Sequence, residues 1–208
     1  METLWWDNID LPFKVLLYHN YLNSIGQNSN IDLIEILSES NKSYINSISS
    51  KEVSGISKLE IIERVDISDG FDWIWDVWFA FSNISAIDYL RNLKKVKLEF
   101  NKIEAVDLNN VNYNLIELDL YQNNISDISF LNLFPNLERL NLGVNNIIDI
   151  EPIQSLKHLK HLNLSANEII DLTHLKKLTN LIEIDLTQNP IADYGPLYSL
   201  TKLKNVNV

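Results

Sequence analysis

LIELDLYQNNISDI (residues 115–128) is followed 22 residues later by LERLNLGVNNIIDI (137–150), and then at the same spacing by LKHLNLSANEIIDL (159–172) and LIEIDLTQNPIADY (181–194). Counted from the first leucine, the pattern places apolar residues at positions 1, 4, 6, 11, 14, 17 and 20, and asparagine at position 9. Five repeats fit it, starting at Leu93, Leu115, Leu137, Leu159 and Leu181, and a truncated sixth starts at Leu203. The sequence therefore predicts an array of 22-residue units over 93–208.

Each repeat predicts one short strand followed by an inward turn. In the second repeat Leu118 and Leu120 alternate with the polar Glu117 and Asp119, so the two sets point to opposite faces of a strand. The asparagine at position 9 follows where the chain turns inward, and its amide can both donate to and accept from buried loop backbone. Stacked repeats would align these side chains in a ladder made of Asn101, Asn123, Asn145, Asn167 and Asn189.

This pattern resembles leucine-rich repeats of the 22-residue class, which occur in bacterial internalins and in a eukaryotic phosphatase regulator. The resemblance covers Leu93 to Val208 and includes an aspartate followed by an apolar residue at positions 13 and 14, as in Asp127-Ile128. It implies an α/β fold, a curved solenoid with parallel β-strands on the concave face and 3₁₀ or short helical turns on the convex face.

Aspartate recurs before each predicted convex turn, as Asp127, Asp149, Asp171 and Asp193. A row of carboxylates could suggest a ladder of cations, but each one precedes a turn whose free N–H groups a carboxylate can cap. Capping is the favoured interpretation. The first repeat departs from the pattern, because Asn109 and Asn112 stand at positions 17 and 20, where apolar residues belong. Its convex turn is therefore expected to be irregular.

Residues 1–70 predict an N-terminal cap. Apolar residues recur at helical spacing within the first 50 residues, for example Phe13, Leu16 and Leu17. Because the terminal repeat of a solenoid would otherwise expose its core leucines, we expect a helical cap over the open end.

Residues 71–92 fit a degenerate first repeat. One register of its segment FDWIWDVWFAF (71–81) turns Trp73, Trp75 and Trp78 towards the concave face. The other register pairs the segment with LEIIERVDI (59–67) in a hairpin and buries two of the tryptophans. A buried cap is favoured because tryptophan serves cores before interfaces, but the sequence does not choose between the registers.

Composition and charge limit the function. The 208 residues carry 17 basic and 28 acidic side chains, a net charge of −11, with 14 acidic and 6 basic residues in 1–92. An acidic surface disfavours nucleic acid and would steer in a basic protein partner. No export signal or membrane-spanning run is recognisable in the sequence, so we expect a cytoplasmic protein that binds no membrane. The sequence does not indicate the oligomeric state of the protein.

No catalytic or cofactor motif is recognisable. Cysteine is absent, and the neighbouring histidines His158 and His161 fall on a loop and on a strand, so they should not converge on one metal. Neither a phosphate-binding glycine loop nor a nucleophile motif occurs. We therefore expect neither enzyme activity nor a metal or cofactor.

The concave face is the remaining candidate site, and we expect it to bind another protein. The aromatic residues Phe100 and Tyr121 should form its anchor, since large rings dominate interface energetics. The other candidate contacts are polar strand residues and one upstream tryptophan: Lys95, Lys97, Glu99, Glu117, Asp119, Arg139, Asn141, His161, Asn163 and Trp78. Two alternatives stay open, an immunity-type protein that neutralises a basic toxin and a regulatory subunit of a cellular enzyme.

Overall fold

A computed structural model describes residues 93–208 and, for the backbone, residues 58–60. Its described strands form one parallel sheet in which each strand hydrogen-bonds to the next along the chain. They are β1 (Lys58–Glu60), β2 (Lys95–Lys97), β3 (Glu117–Asp119), β4 (Arg139–Asn141), β5 (His161–Asn163), β6 (Glu183–Asp185) and β7 (Asn205–Asn207). From β2 to β7 the register advances by one repeat per strand, as in Lys95 opposite Glu117 opposite Arg139. The predicted strands and their spacing are confirmed.

Each strand is short because only its middle residue enters the core. In β3 to β6 this residue is leucine or isoleucine and is buried, while both flanking residues are exposed or half-buried on the opposite face. The core continues through positions 1, 6, 11, 14, 17 and 20, so the leucines of one repeat pack on those of the next. This stacking removes apolar surface from water along the whole array.

The opposite face carries 3₁₀ helices in the described residues, at Ser129–Leu133, Glu151–Ser155, Thr173–Lys177 and Gly195–Ser199. The aspartate at position 13 precedes each one, and its Oδ1 accepts the backbone N–H two residues later. The N–O distances are 2.7–2.8 Å at Ser129, Glu151, Thr173 and Gly195. The capping role predicted for the aspartates is confirmed.

The asparagine ladder links neighbouring repeats. Asn145 donates through Nδ2 to the carbonyls of Leu120, Leu142 and Gly143, and its Oδ1 accepts from the N–H of Ile125 at 3.0 Å. Asn123, Asn167 and Asn189 make the equivalent bonds in their own repeats. Buried loop backbone is thereby paired, as predicted.

Left-handed backbone precedes every ladder asparagine. The residue at position 8 has a φ between 50° and 58° in all five repeats, and none of these residues is glycine: Phe100, Gln122, Val144, Ala166 and Gln188. The reversal ends the strand and aims the next side chain, the asparagine, into the array. Sequence patterning did not predict this strain, because the residue types at position 8 share no property.

The first repeat is irregular, as expected. No 3₁₀ helix occurs between residues 98 and 114, and Asn112 lies buried where the later repeats place Phe134, Leu156, Leu178 and Leu200. Its Oδ1 accepts the N–H of Asn114 at 2.8 Å, while its Nδ2 has no acceptor among the described residues.

The strand next to β2 is Lys58–Glu60, which runs parallel to it. This strand lies more than one repeat length upstream of β2, so the spacing of 22 residues ends there. The degenerate repeat predicted for 71–92, the two registers of its tryptophans, and the cap predicted for 1–70 fall outside the described residues apart from β1. They stay predictions.

Candidate functional site

Polar side chains of the strands line a shallow groove of about 570 Å³ on the concave face. The groove extends from β3 to β7 and includes the predicted contact residues Glu117, Asp119, Arg139, Asn141, His161 and Asn163. Phe100 and Glu99 belong to the first repeat, beside the N-terminal end of this groove. Trp78 lies outside the described residues. The predicted site is therefore divided between an aromatic end and a polar groove.

Position 3 of the repeats forms a row of charged side chains across the sheet. Lys95 contacts Glu117 at 2.9 Å between Nζ and Oε2, and His161 contacts Glu183 at 2.7 Å between Nδ1 and Oε2. Asn205 donates to the other oxygen of Glu183. The hydrogen bonds from His161 and then Asn205 lower the pKa of Glu183, so it stays ionised in the groove.

Position 5 has a structural role that the sequence reasoning missed. Asp119, Asn141, Asn163 and Asp185 each accept through Oδ1 the backbone N–H two residues later, at 2.9–3.2 Å. These bonds close the strand end before the left-handed residue. The signal was present in the sequence, since position 5 holds only Asp or Asn from the second repeat to the sixth, whereas an unconstrained contact row would vary.

The carboxylate at the C-terminal end of this row is fully partnered. Asp185 accepts from the N–H and hydroxyl of Thr187, and its Oδ2 accepts from Asn207 at 3.1 Å. Burial opposes its ionisation, but the bonds from Thr187 and Asn207 outweigh that effect and lower the pKa of Asp185. Asp185 therefore offers a partner little free hydrogen-bonding capacity.

The aromatic residues predicted as an anchor do meet. The rings of Phe100 and Tyr121 lie edge to face, with centroids 5.6 Å apart and planes at 71°. Phe100 is 48% exposed although it is a large apolar residue. Beside the rings, burial and the neighbouring Asp119 raise the pKa of Glu99. The first two repeats thus present an aromatic pair, the exposed Phe100 with the half-buried Tyr121, next to two adjacent carboxyl groups.

Gly143, which is buried just beyond β4, packs closely against two side chains of the next repeat. A Cβ atom at this position would lie 2.9–3.0 Å from Ser165 Oγ and from both amide atoms of Asn163, closer than Cβ atoms approach other atoms. Any larger residue would push these two side chains out of place. The glycine therefore allows Asn163 and Ser165 of the next repeat to lie flat against β4.

Within residues 93–208 no three histidine, aspartate or glutamate side chains converge to hold a metal ion. In that same part of the chain no helix has the length and apolar character needed to cross a bilayer.

Comparison with known proteins identifies the repeats. A family model described as "Leucine Rich repeats (2 copies)" matches residues 113–153 and again residues 135–177. The chain carries leucine-rich repeats. The matched residues lie in the second to fourth repeats of the array, where the sequence pattern is most regular. No curated protein matches the chain as a sequence.

Solved leucine-rich-repeat structures agree with the fold. The functional domain of InlJ from Listeria monocytogenes has a TM-score of 0.55 and 21% identity, over 77% of this chain and 31% of that one. Internalin C2 from the same organism has 22% identity and a TM-score of 0.48, over 93% and 92% of the two chains. Internalin F, also from Listeria monocytogenes, has 25% identity and a TM-score of 0.45, over 62% and 52%.

The family model and the likeness to InlJ confirm the fold that the sequence predicted. The likeness to InlJ supports a solenoid of internalin type, with parallel strands in one sheet and short 3₁₀ turns behind it. The chain spans about half of the internalin F chain and about a third of the InlJ chain. Leucine-rich-repeat solenoids present extended concave surfaces, and proteins use these surfaces for binding.

Proposed function

We propose that the chain is a non-catalytic scaffold that binds another protein on the concave face, with the contact centred on the aromatic pair Phe100 and Tyr121. The observation that carries the proposal is the contact of the exposed Phe100 with the half-buried Tyr121, the two rings being held edge to face just beyond adjacent strands. Aromatic side chains supply large contact areas at little cost in conformational entropy. The solenoid fixes the backbone beneath them, so the anchor is already in place before binding.

The charge beside the pair favours a basic partner surface. Burial and the neighbouring Asp119 disfavour ionisation of Glu99, and a cationic side chain of the partner would oppose that effect. The acidic excess of residues 1–92 adds a long-range field of the same sign. We propose that this field accelerates association with the partner.

The first experiment captures the partner from cells with the full chain as bait and identifies it by mass spectrometry. Titration calorimetry then compares the wild type with Tyr121→Ala. We expect binding to weaken by about 2 kcal/mol or more, while the denaturation midpoint barely changes because the ring lies outside the leucine core.

The matched control is Tyr198→Ala. Tyr198 is 90% exposed on the last 3₁₀ helix, away from the concave face, and loses the same atoms. It should bind as the wild type does. Unchanged binding by Tyr121→Ala would place the contact elsewhere and contradict the proposal.

A second variant tests the electrostatic part. Asp119→Asn removes one charge but keeps the oxygen that accepts the N–H of Tyr121, as Asn141 and Asn163 do in their repeats. Association should slow at low salt, and the difference should shrink as salt is added. An association rate that does not change at low salt would exclude charge steering through this residue.

The identity of the captured protein distinguishes two forms of the function. The net charge of −11 favours the immunity-type proposal, in which the scaffold covers a basic toxin. Capture of a cellular enzyme would favour the regulatory one. A cytoplasmic location also remains a proposal, and cell fractionation with an antibody against the chain tests it.

A further inference from the structure

We infer that the centre of the concave groove binds an acidic side chain of the partner protein through a central donor cluster, Arg139, Asn141 and Asn163. The inference rests on the proposed function, because it assumes that the partner lies in this groove. It concerns a different part of the face from the aromatic pair, and it requires the opposite charge.

The orientation of the two amides is fixed by the backbone. A backbone N–H can only donate, so the atom that faces Gly143 N and Ser165 N must be the amide oxygen of Asn141 and of Asn163. The Nδ2 groups are therefore not used in these bonds, and that of Asn163 lies beside Gly143, 3.0 Å from where a Cβ atom would be. Neither group has an acceptor among the described residues, and both side chains line the open groove. Asn141 and Asn163 are directly opposite on β4 and β5, which lie about 4.8 Å apart as neighbouring strands do.

Arg139 brings a positive charge to the same place. It precedes Asn141 by two residues on β4, is exposed, and faces the groove. Its nearest acidic neighbour on β3, Glu117, is held by Lys95 at 2.9 Å, and no ion pair involves Arg139 in residues 93–208. A guanidinium group beside two amide donors suits a carboxylate, which accepts several hydrogen bonds at once.

The two ends of the groove lack a comparable group of donors without internal acceptors. Towards the C-terminus, Asn205 and Asn207 donate to Glu183 and Asp185, so each of these amides already has an acceptor within the fold. Towards the N-terminus, the row at position 5 changes from Asn141 to Asp119, which only accepts. Donors without an internal partner are therefore concentrated on β4 and β5.

A protein side chain fits this arrangement better than a free anion. The groove is open along five strands, which suits an extended segment or loop of a partner. Carboxylates on both sides, Asp119 and Glu183, would repel a polyanion or a multiply charged phosphate.

The test uses peptides, so it does not depend on finding the native partner. The probe is acetyl-Gly-Ser-Glu-Ser-Gly-amide, its matched control has Gln in place of Glu, and inorganic phosphate is a third ligand. Binding is followed by NMR through the side-chain amide signals of Asn141 and Asn163. We expect the Glu peptide to shift these signals and to bind about tenfold more tightly than the Gln peptide.

Variants of the protein test which side chains contact the Glu peptide. Asn163→Asp keeps the bond to Ser165 N but replaces the donor by a carboxylate, and the fold already has Asp at this position on β3 and β6. This variant and Arg139→Gln should each weaken Glu-peptide binding about tenfold. Lys177→Gln, which removes the same charge from the convex face, should leave it unchanged.

Three results would overturn the inference: equal binding of the Glu and Gln peptides, shifts confined to other residues, or phosphate binding as tight as that of the Glu peptide. Backbone amide spectra check that the variants fold, and Arg139→Gln changes an exposed side chain, so it serves if Asn163→Asp does not fold. The proposed function has a separate test. It would be contradicted if Tyr121→Ala bound a captured partner as tightly as the wild type does.

Discussion

Two buried asparagines of this chain differ in whether their side-chain amides are fully hydrogen-bonded. Asn145, in the inner loop of the third repeat, uses both amide atoms and pairs four backbone groups. Asn112, on the convex side of the first repeat, is equally buried but leaves its Nδ2 without an acceptor in the described residues. Burial of a polar group stabilises a fold only when its hydrogen bonds are made. Residue type and burial alone would rate these two side chains the same.

The difference between the two residues reflects the difference between their repeats. Each later repeat has its inner ladder asparagine, its Asp or Asn at position 5 and its capped 3₁₀ helix. The first repeat keeps Asn101 but has Lys97 at position 5 and no 3₁₀ helix. Lysine has no acceptor, so it cannot close the strand end as Asp119 does. The first repeat is thus the least regular unit of 93–208, and it contributes Phe100 to the aromatic pair.

The largest expected effect is that of Asn145→Ala. Leu120 O would keep its donor from Asn123 and Leu142 O its donor from Asn167, but the buried N–H of Ile125 would lose its acceptor. We expect a loss of about 2–3 kcal/mol in the free energy of unfolding, measured by urea denaturation.

Asn146→Ala is the control for this substitution, because Asn146 is the adjacent residue, of the same type, and exposed. It should change stability by less than about 0.5 kcal/mol. If Asn145→Ala and Asn146→Ala changed the free energy of unfolding equally, the buried asparagine would stabilise the fold no more than the exposed one. The comparison would then fail.

Asn112→Leu should raise the free energy of unfolding, whereas Asn145→Ala should lower it. Leucine matches the residue at this position in the third to fifth repeats, removes the unpaired donor and adds apolar contacts with the core. The N–H of Asn114 loses its acceptor, but Asn114 is exposed and can bond to water. We expect a gain of about 1–2 kcal/mol in urea denaturation. A loss of stability would show that Nδ2 of Asn112 has a partner.

Much of this architecture was readable from the sequence, for a physical reason. Leucines at a fixed spacing, the ladder asparagines and the capping aspartates each satisfy one stacking requirement, and stacking repeats the requirement every 22 residues. The orphaned donor of Asn112 was not readable, because a mismatch says only that a turn is irregular. The central donor cluster was not readable either, since it depends on which amide atom faces the strand end.

A third variant tests a feature that the first repeat shares with the others, the left-handed residue at position 8. Val144 has a φ of 56°, a conformation that is costly for a β-branched side chain. Val144→Gly should stabilise the protein by about 1 kcal/mol, the cost of the left-handed region less the entropy that glycine loses on folding.

Val144→Ala separates conformational strain from lost packing, because alanine removes the branch but keeps Cβ. We expect a smaller gain than with glycine, or none, in the same urea experiment. If glycine and alanine have equal effects, the left-handed backbone is not strained at this position.

The smallest expected effect concerns Glu99, which links the irregular first repeat to the regular second one. Burial, and then the neighbouring Asp119, raise the pKa of Glu99 above its ordinary value. The folded state therefore holds this proton more tightly than the unfolded chain does, and ionisation of Glu99 opposes folding. Its destabilising effect should be absent below the unfolded pKa, develop as pH rises through the folded pKa, and persist at neutral pH. Because the side chain remains largely in contact with water, screening keeps the effect small.

Glu99→Gln should remove this dependence and raise stability at pH 7 by less than about 0.5 kcal/mol. Urea denaturation of both proteins across pH 4 to 7 gives the difference in unfolding free energy at each pH. That difference should grow with pH and disappear at the acidic end, where Glu99 is protonated in the wild type. Glu104→Gln is the control, because Glu104 is exposed in the same repeat. A difference that shrinks with rising pH would mean that Glu99 is stabilised as a carboxylate, with the charge of Lys97 outweighing burial and Asp119.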